Sequence, residues 1–192
     1  ETSRVSLKPW PCIRHLHTAL TAVLGIMERE RLAFEDIAEV VLHLGQMSID
    51  RCRPVALGSA PANHIDLAGN MHFAVATAIR HGGIPLAVYH ETKLADDVVL
   101  EAMPKVRWSY DASFDGPTLE GSRIDIATTR GQRFSAECRF ALGHPDNPMS
   151  REQRIAKFMD CASAAKTPLT KEKALAIVEA GERLETLGDG GS

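Results

Sequence analysis

Residues 133–142 read Arg133-Phe134-Ser135-Ala136-Glu137-Cys138-Arg139-Phe140-Ala141-Leu142, and this stretch decides the fold class. Phe134, Ala136, Cys138, Phe140 and Leu142 alternate with Arg133, Ser135, Glu137 and Arg139. Successive side chains of an extended chain point to opposite faces, so the pattern predicts a strand with one face on a core and one towards water. Upstream, residues 123–128 have the same extended character, and Arg130-Gly131 marks a tight hairpin turn between the two. Residues 106–110 and the alternating 38–44, closed by Gly45, add two further strands.

Helical periods occupy the space between these strands. Leu16, Ala19, Leu20, Val23, Leu24 and Met27 recur at three- and four-residue steps, which predicts a helix over residues 14–31. A second helix is expected from Pro61 or Ala62 to Arg80. Its buried stripe would be Ala68, Met71, Val75, Ala78 and Ile79, ended by His81-Gly82-Gly83. A short third helix, 94–102, stops before Pro104. Residues 5–7 read as the start of a short strand, 46–60 as a loop without period, and 86–89 as a short strand or packed connector. The expected architecture is α+β: an antiparallel-rich sheet with helices packed on one face.

After the turn-rich Gly143-His144-Pro145-Asp146-Asn147-Pro148, two more helices are expected. Ser150 with Gln153 forms a capping box for one that runs to about residue 164. Thr170 caps another, from 171 to about 187, before a Gly-rich tail expected to be disordered. Their apolar residues include Ile155, Phe158, Met159, Leu175, Ile177, Val178 and Leu184. These come after the sheet is complete, so they cover an apolar patch or dock on something outside the chain.

With 192 residues, 44% of them hydrophobic and 24% charged, the chain reads as one ordinary globular domain or a domain with an appendage. A net charge of -3 gives no electrostatic footprint for nucleic acid. No apolar run is long enough to span a bilayer, so no membrane partner is expected. Cys12, Cys52, Cys138 and Cys161 lie far apart without a Cys-x-x-Cys pair. That argues against a zinc site or disulfide framework and for a reducing, cytoplasmic setting.

Phosphate-binding Gly loops, His-Glu-x-x-His and Gly-x-Ser-x-Gly motifs do not occur. His43, His64, His72, His81, His90 and His144 are scattered without ligand spacing, and Asp96 and Asp97 face different ways on a helix. Arg51 and Arg53 stand in the expected loop, where exposed cations are ordinary. The remaining candidate is Lys8-Pro9-Trp10-Pro11-Cys12-Ile13-Arg14-His15-Leu16-His17. Its prolines keep the first half out of a helix, and its cations sit at the start of the next one. Lys and Arg there suit small molecules with several carboxylates, through charge-assisted hydrogen bonds. They also stabilise the enolate-like charge left when a proton or CO2 departs beside a carboxylate. His exchanges protons near neutral pH.

The same segment, followed by Thr18-Ala19-Leu20, resembles the Lys-Pro-(aromatic)-Pro-Cys-Cys-Arg-x-x-His stretch of the MmgE/PrpD family. Asn70-Met-His-Phe-Ala-Val-Ala-Thr-Ala-Ile-Arg-His-Gly-Gly83, Phe114-Asp-Gly116, and Gly143-His-Pro-Asp-Asn-Pro-Met-Ser150 ahead of Lys157-Phe158 follow in the family's order. The resemblance spans nearly the whole chain and implies several things. Residues 1–143 would be an α+β lid-like domain. Residues 144–192 would be terminal helices that return to a large helical domain of the same enzyme, a domain this chain does not contain. Family members include 2-methylcitrate dehydratase, cis-aconitate decarboxylase and iminodisuccinate epimerase. They act on small polycarboxylates without metal or organic cofactor, and a homodimer is implied.

By the same resemblance Lys8 and His17 are the catalytic residues facing the cleft, and Arg14 and Asn70 are substrate-binding. Asn70 stands where many relatives have Ser. The further acid/base residues belong to the helical domain, so the chain alone is expected to have little or no activity. The alternative is a non-catalytic α+β domain for anion binding or association.

Overall fold

The computed structural model describes residues 5–52, 63–89, 97–116 and 121–184. It divides into two compact units, Glu1–Met149 and Ser150–Ser192.

The first unit is built on a four-stranded sheet of order β2-β1-β3-β4. The strands are β1 (Ile37–Leu44), β2 (Val106–Tyr110), β3 (Ser122–Thr128) and β4 (Arg133–Cys138). β3 runs antiparallel to both β1 and β4, whereas β2 lies parallel to β1 with Val40 opposite Val106. The sheet is therefore mixed. A parallel pair needs a long crossover rather than a hairpin, and the helices between β1 and β2 provide it. In β3 every second residue (Ser122, Ile124, Ile126, Thr128) is buried, as strict alternation requires. The β3–β4 turn uses Gly131 at φ 81°, where its N–H donates to Thr128 O at 2.9 Å.

Helices α1 (His17–Glu30) and α4 (Met71–His81) cover one face of the sheet. Leu16, Ala19, Leu20, Val23 and Ile26 pack with Val40, Leu42, Ile124 and Ile126 in the main core. Helix α4 is buried from Met71 to Ile79. One side (Met71, Ala74, Val75, Ala78) joins that core. The other (Phe73, Ala76) packs with Leu67, Val99, Ala102 and Met103 in a smaller cluster. A helix buried on both sides needs apolar residues all round, which the Met-His-Phe-Ala-Val-Ala-Thr-Ala-Ile run supplies.

Several expectations change. The second helix is two pieces, α3 (His64–Gly69) and α4, broken at Asn70. Asn70 has ψ 112° and uses its side chain to cap α4, so a polar cap interrupts what reads as one period. The expected loop at 46–60 opens with a helix, α2 (Gln46–Arg51). Its first N–H, of Gln46, donates to Asp115 Oδ1 at 2.8 Å, a tertiary cap that no local pattern announces. Residues 5–7 are not a strand; Leu7 makes one backbone bond, to Gly143. Residues 86–89 form a 3-10 turn, the connector of the two options. Helix α5 is described from Asp97 to Ala102. Strand β4 ends at Cys138, short of Phe140 and Leu142. The chain there turns away, because Asn147 Nδ2 donates to Phe140 O and Leu142 N donates to Thr21 Oγ1.

The second unit is a pair of helices, α6 (Arg151–Ser163) and α7 (Lys171–Glu182). The Ser150–Gln153 capping box forms in both directions, and Thr170 caps α7. Arg151 and Glu182 close a bidentate ion pair at 2.6 and 2.7 Å. Beside it lies a shallow apolar groove with Ile155, Phe158 and Val178, and Ile177 and Leu184 are exposed. The last helix ends five residues or so before the expected bound of 187. The start expected for the second helix (61–62), the start of the third (94–96), His90, Arg53 and the Gly-rich tail lie outside the described residues.

Candidate functional site

The segment from Leu7 to His17 is extended and then turns through a 3-10 helix, Arg14–Leu16, into α1. Two backbone bonds to distant chain hold it. Leu7 N donates to Gly143 O at 2.9 Å, and Ile13 N donates to Ala68 O at 2.8 Å. The prolines remove two N–H groups from this stretch, so these two long-range bonds carry much of its placement. Trp10 packs its ring 5.5 Å from that of His17, tilted by 41°. A Cβ on Gly83 would come within 3.0 Å of the indole Nε1, so the glycine leaves room for Trp10.

Lys8 and His17 meet at one atom. Lys8 Nζ donates to Cys12 O at 3.1 Å, and His17 Nε2 lies 3.4 Å from the same oxygen. An oxygen acceptor at Nε2 favours the tautomer that carries its proton there. His17 Nε2 is also 3.5 Å from Cys12 Sγ. Burial pushes the Cys12 thiol up to about 12, and Lys8 only partly offsets that, so the sulfur stays a neutral thiol at physiological pH.

The predicted residues differ in access. Lys8 is exposed, and among the described residues no carboxylate pairs with it. His17 is fully buried, as is Asn70. Asn70 Oδ1 accepts from Phe73 N at 3.1 Å, while its Nδ2 has no hydrogen-bond partner among the described residues. Arg14 is half-buried and directs Nη2 to Ser6 Oγ at 3.4 Å. Thus the fold brings Lys8 and His17 together at Cys12. It places Asn70 two residues beyond Ala68, the anchor of Ile13, and ties Arg14 to Ser6.

His72 serves the fold. Its Nδ1 lies 2.7 Å from Val106 O, tying α4 to β2, and desolvation holds its pKa below the ordinary value. Among the described residues there is no group of three or more His, Cys, Asp or Glu side chains placed to hold a metal ion, and no helix long and apolar enough to cross a membrane.

A polar row on the sheet escapes sequence reasoning. Ser109 Oγ is 2.7 Å from His43 Nδ1, His43 Nε2 is 2.7 Å from Asp125 Oδ2, and Ser135 Oγ donates to Asp125 Oδ1 at 2.6 Å. One residue comes from each strand. The outward phase of each strand is legible, but strand order, and hence this juxtaposition, is not.

Residues 10–183 match the model of the MmgE/PrpD C-terminal domain. The chain belongs to the MmgE/PrpD family. A search of curated proteins gave no match. The MmgE/PrpD match covers both units: the sheet unit that carries Trp10 to His17 and the α6–α7 helices.

Proposed function

We propose that this chain is the C-terminal portion of a cofactor-independent MmgE/PrpD lyase or isomerase acting on a small di- or tricarboxylate, with dehydration of a 2-methylcitrate-like substrate the leading reaction. The observation that carries this reading is Lys8. Its ammonium is exposed, anchored on Cys12 O at 3.1 Å, and unopposed by any carboxylate among the described residues. A cation held in place without a neutralising partner costs little reorganisation when a substrate carboxylate or a developing enolate reaches it.

In this reading Lys8 binds and stabilises the negative charge, and Arg14 assists in binding. His17 orders the Cys12 turn and supplies or takes a proton. Asn70 caps α4 through its Oδ1 and offers its Nδ2 as a donor for substrate binding. The remaining acid/base groups would come from a helical domain of the same enzyme, against which the apolar faces of α6 and α7 would pack. A cytoplasmic homodimer fits the composition and the family. One observation favours the second reading, a non-catalytic anion-binding domain: His17 is fully buried and packed against Cys12 and Trp10, a place that suits a structural residue.

Calorimetry of the 192-residue chain with citrate, cis-aconitate and 2-methylcitrate tests the first reading. Binding should weaken about tenfold or more in Lys8→Ala, the loss of a charge-assisted pair. His17→Gln should bind nearly as the parent does but fail to support turnover when a helical domain is supplied. Equal binding by the parent and Lys8→Ala would overturn the assignment of Lys8.

A further inference from the structure

We propose that Ser109, His43 and Asp125 form a second reactive centre, on the sheet face opposite the helices, in which Ser109 is an activated nucleophile for small acyl electrophiles. The strands fix the geometry. His43 is opposite Ser109 in the β1–β2 register and opposite Arg123 in the β1–β3 register, and Asp125 is opposite Ser135 in β3–β4. All of these side chains therefore share the outward face, since Val40, Leu42 and Leu44 point into the core.

The hydrogen bonds assign the protons. Desolvation pulls the Asp125 pKa upward, but the bonds from Ser135 and His43 together with the nearby charges of His43 and Arg123 hold it below the ordinary carboxylate value. As a carboxylate it only accepts, so His43 Nε2 carries a proton towards it at 2.7 Å. In the neutral ring Nδ1 is then the acceptor, and the hydroxyl 2.7 Å away is the Ser109 donor. A nucleophile on a base, and the base oriented by a third group, is the arrangement that activates serine. Here the two ring nitrogens exchange their usual tasks. Ser135 adds a fourth member that fixes the carboxylate.

Arg123 brings positive charge to the same patch. Its Nη2 lies 4.0 Å from Asp111 Oδ2, two residues beyond Ser109, and its Nε is a buried donor without a hydrogen-bond partner among the described residues. The face also carries the Arg107–Glu39 pair at 2.9 Å, which neutralises its own charges. Ser109 is half-buried, with part of its surface open to solvent.

The step balances without a further reagent. Ser109 Oγ forms a bond to the acyl carbon as its proton passes to His43 Nδ1. The carbon–leaving-group bond then breaks, and the departing oxygen takes that proton from Nδ1. Water repeats the sequence on the acyl-serine and releases the acid. Asp125 stabilises the transient imidazolium throughout.

Treating the full chain with a fluorophosphonate and mapping peptides by mass spectrometry tests this. The expected result is one adduct, on Ser109, absent from Ser109→Ala. Its rate should fall about tenfold or more in His43→Gln and in Asp125→Asn, as loss of a general base or its orienting group requires. Ser135→Ala removes only the bond that fixes Asp125 and should slow labelling several-fold with an unchanged circular dichroism spectrum. An unlabelled Ser109, or labelling at the parental rate in His43→Gln and Ser135→Ala, would show that the row only ties the strands together and would overturn the proposal.

Discussion

The backbone N–H of Leu7 donates to the carbonyl oxygen of Gly143 at 2.9 Å, and Gly143 sits at φ 87°. A Cβ at Gly143 would collide with the Leu7 carbonyl oxygen. The residue before Lys8 is thus pinned to the turn that ends the first unit, at a place where only glycine allows the approach.

Gly143→Ala should therefore destabilise the first unit more than Gly131→Ala. Both residues have positive φ, but a Cβ on Gly131 meets nothing within 4 Å. The left-handed backbone alone costs a non-glycine residue about 1–2 kcal/mol. The collision with Leu7 should add at least about 1 kcal/mol at Gly143. Urea unfolding of the two variants checks this, and equal losses would mean that the Leu7 approach relaxes freely.

Asn70→Ala should cost about 1 kcal/mol by removing the cap on Phe73 N, and Asn70→Ser, which keeps an acceptor, should recover most of it. The comparison matters because Asn70 is fully buried. If Asn70→Ala leaves the unfolding midpoint unchanged, the side chain is not holding α4, and its unpartnered Nδ2 becomes the feature to explain.

Much of this arrangement is legible in the sequence. The alternation in β3, the period of α1 and the caps at Ser150 and Thr170 are local signals that form as read, whereas the alternation over 133–142 holds only as far as Cys138. The parallel β1–β2 pair is not local, because nothing in Val106–Tyr110 records which neighbour it joins. Helix α2 depends on Asp115, and the break at Asn70 depends on one polar side chain inside an apolar run. At the site, the charge and spacing of Lys8 and His17 are visible, but their convergence on Cys12 O and the burial of His17 are products of packing.

Thiol labelling should sort the cysteines by burial. Desolvation pushes Cys12 and Cys52 up to about 12 and Cys138 to about 11, whereas Cys161 is exposed. Since the thiolate is the reactive form, iodoacetamide at pH 8 should modify Cys161 first and reach Cys12 and Cys52 only on unfolding. Mass spectrometry at short times reads the order. Modification of Cys12 as fast as Cys161 would mean that the Lys8–His17 segment opens readily in solution.

His72 makes the stability of the first unit depend on pH. Burial lowers its pKa below the ordinary value, against the opposing pull of the carbonyls of Val106 and Met103. A histidine depressed in the folded state binds its proton more readily when unfolded, so stability rises with pH across that window. The contribution is complete above the unfolded pKa of about 6.5. It is lost as pH falls from there towards the folded value, with a slope of at most about 1.4 kcal/mol per pH unit for one proton. His72→Asn keeps an N–H donor at the position of Nδ1 for Val106 O but cannot titrate. Urea midpoints measured between pH 7.5 and 5 should therefore fall more steeply for the parent than for His72→Asn. Parallel profiles would place the acid sensitivity in other groups, Asp125 and Asp115 first, whose depressed pKa values remove stability only at lower pH.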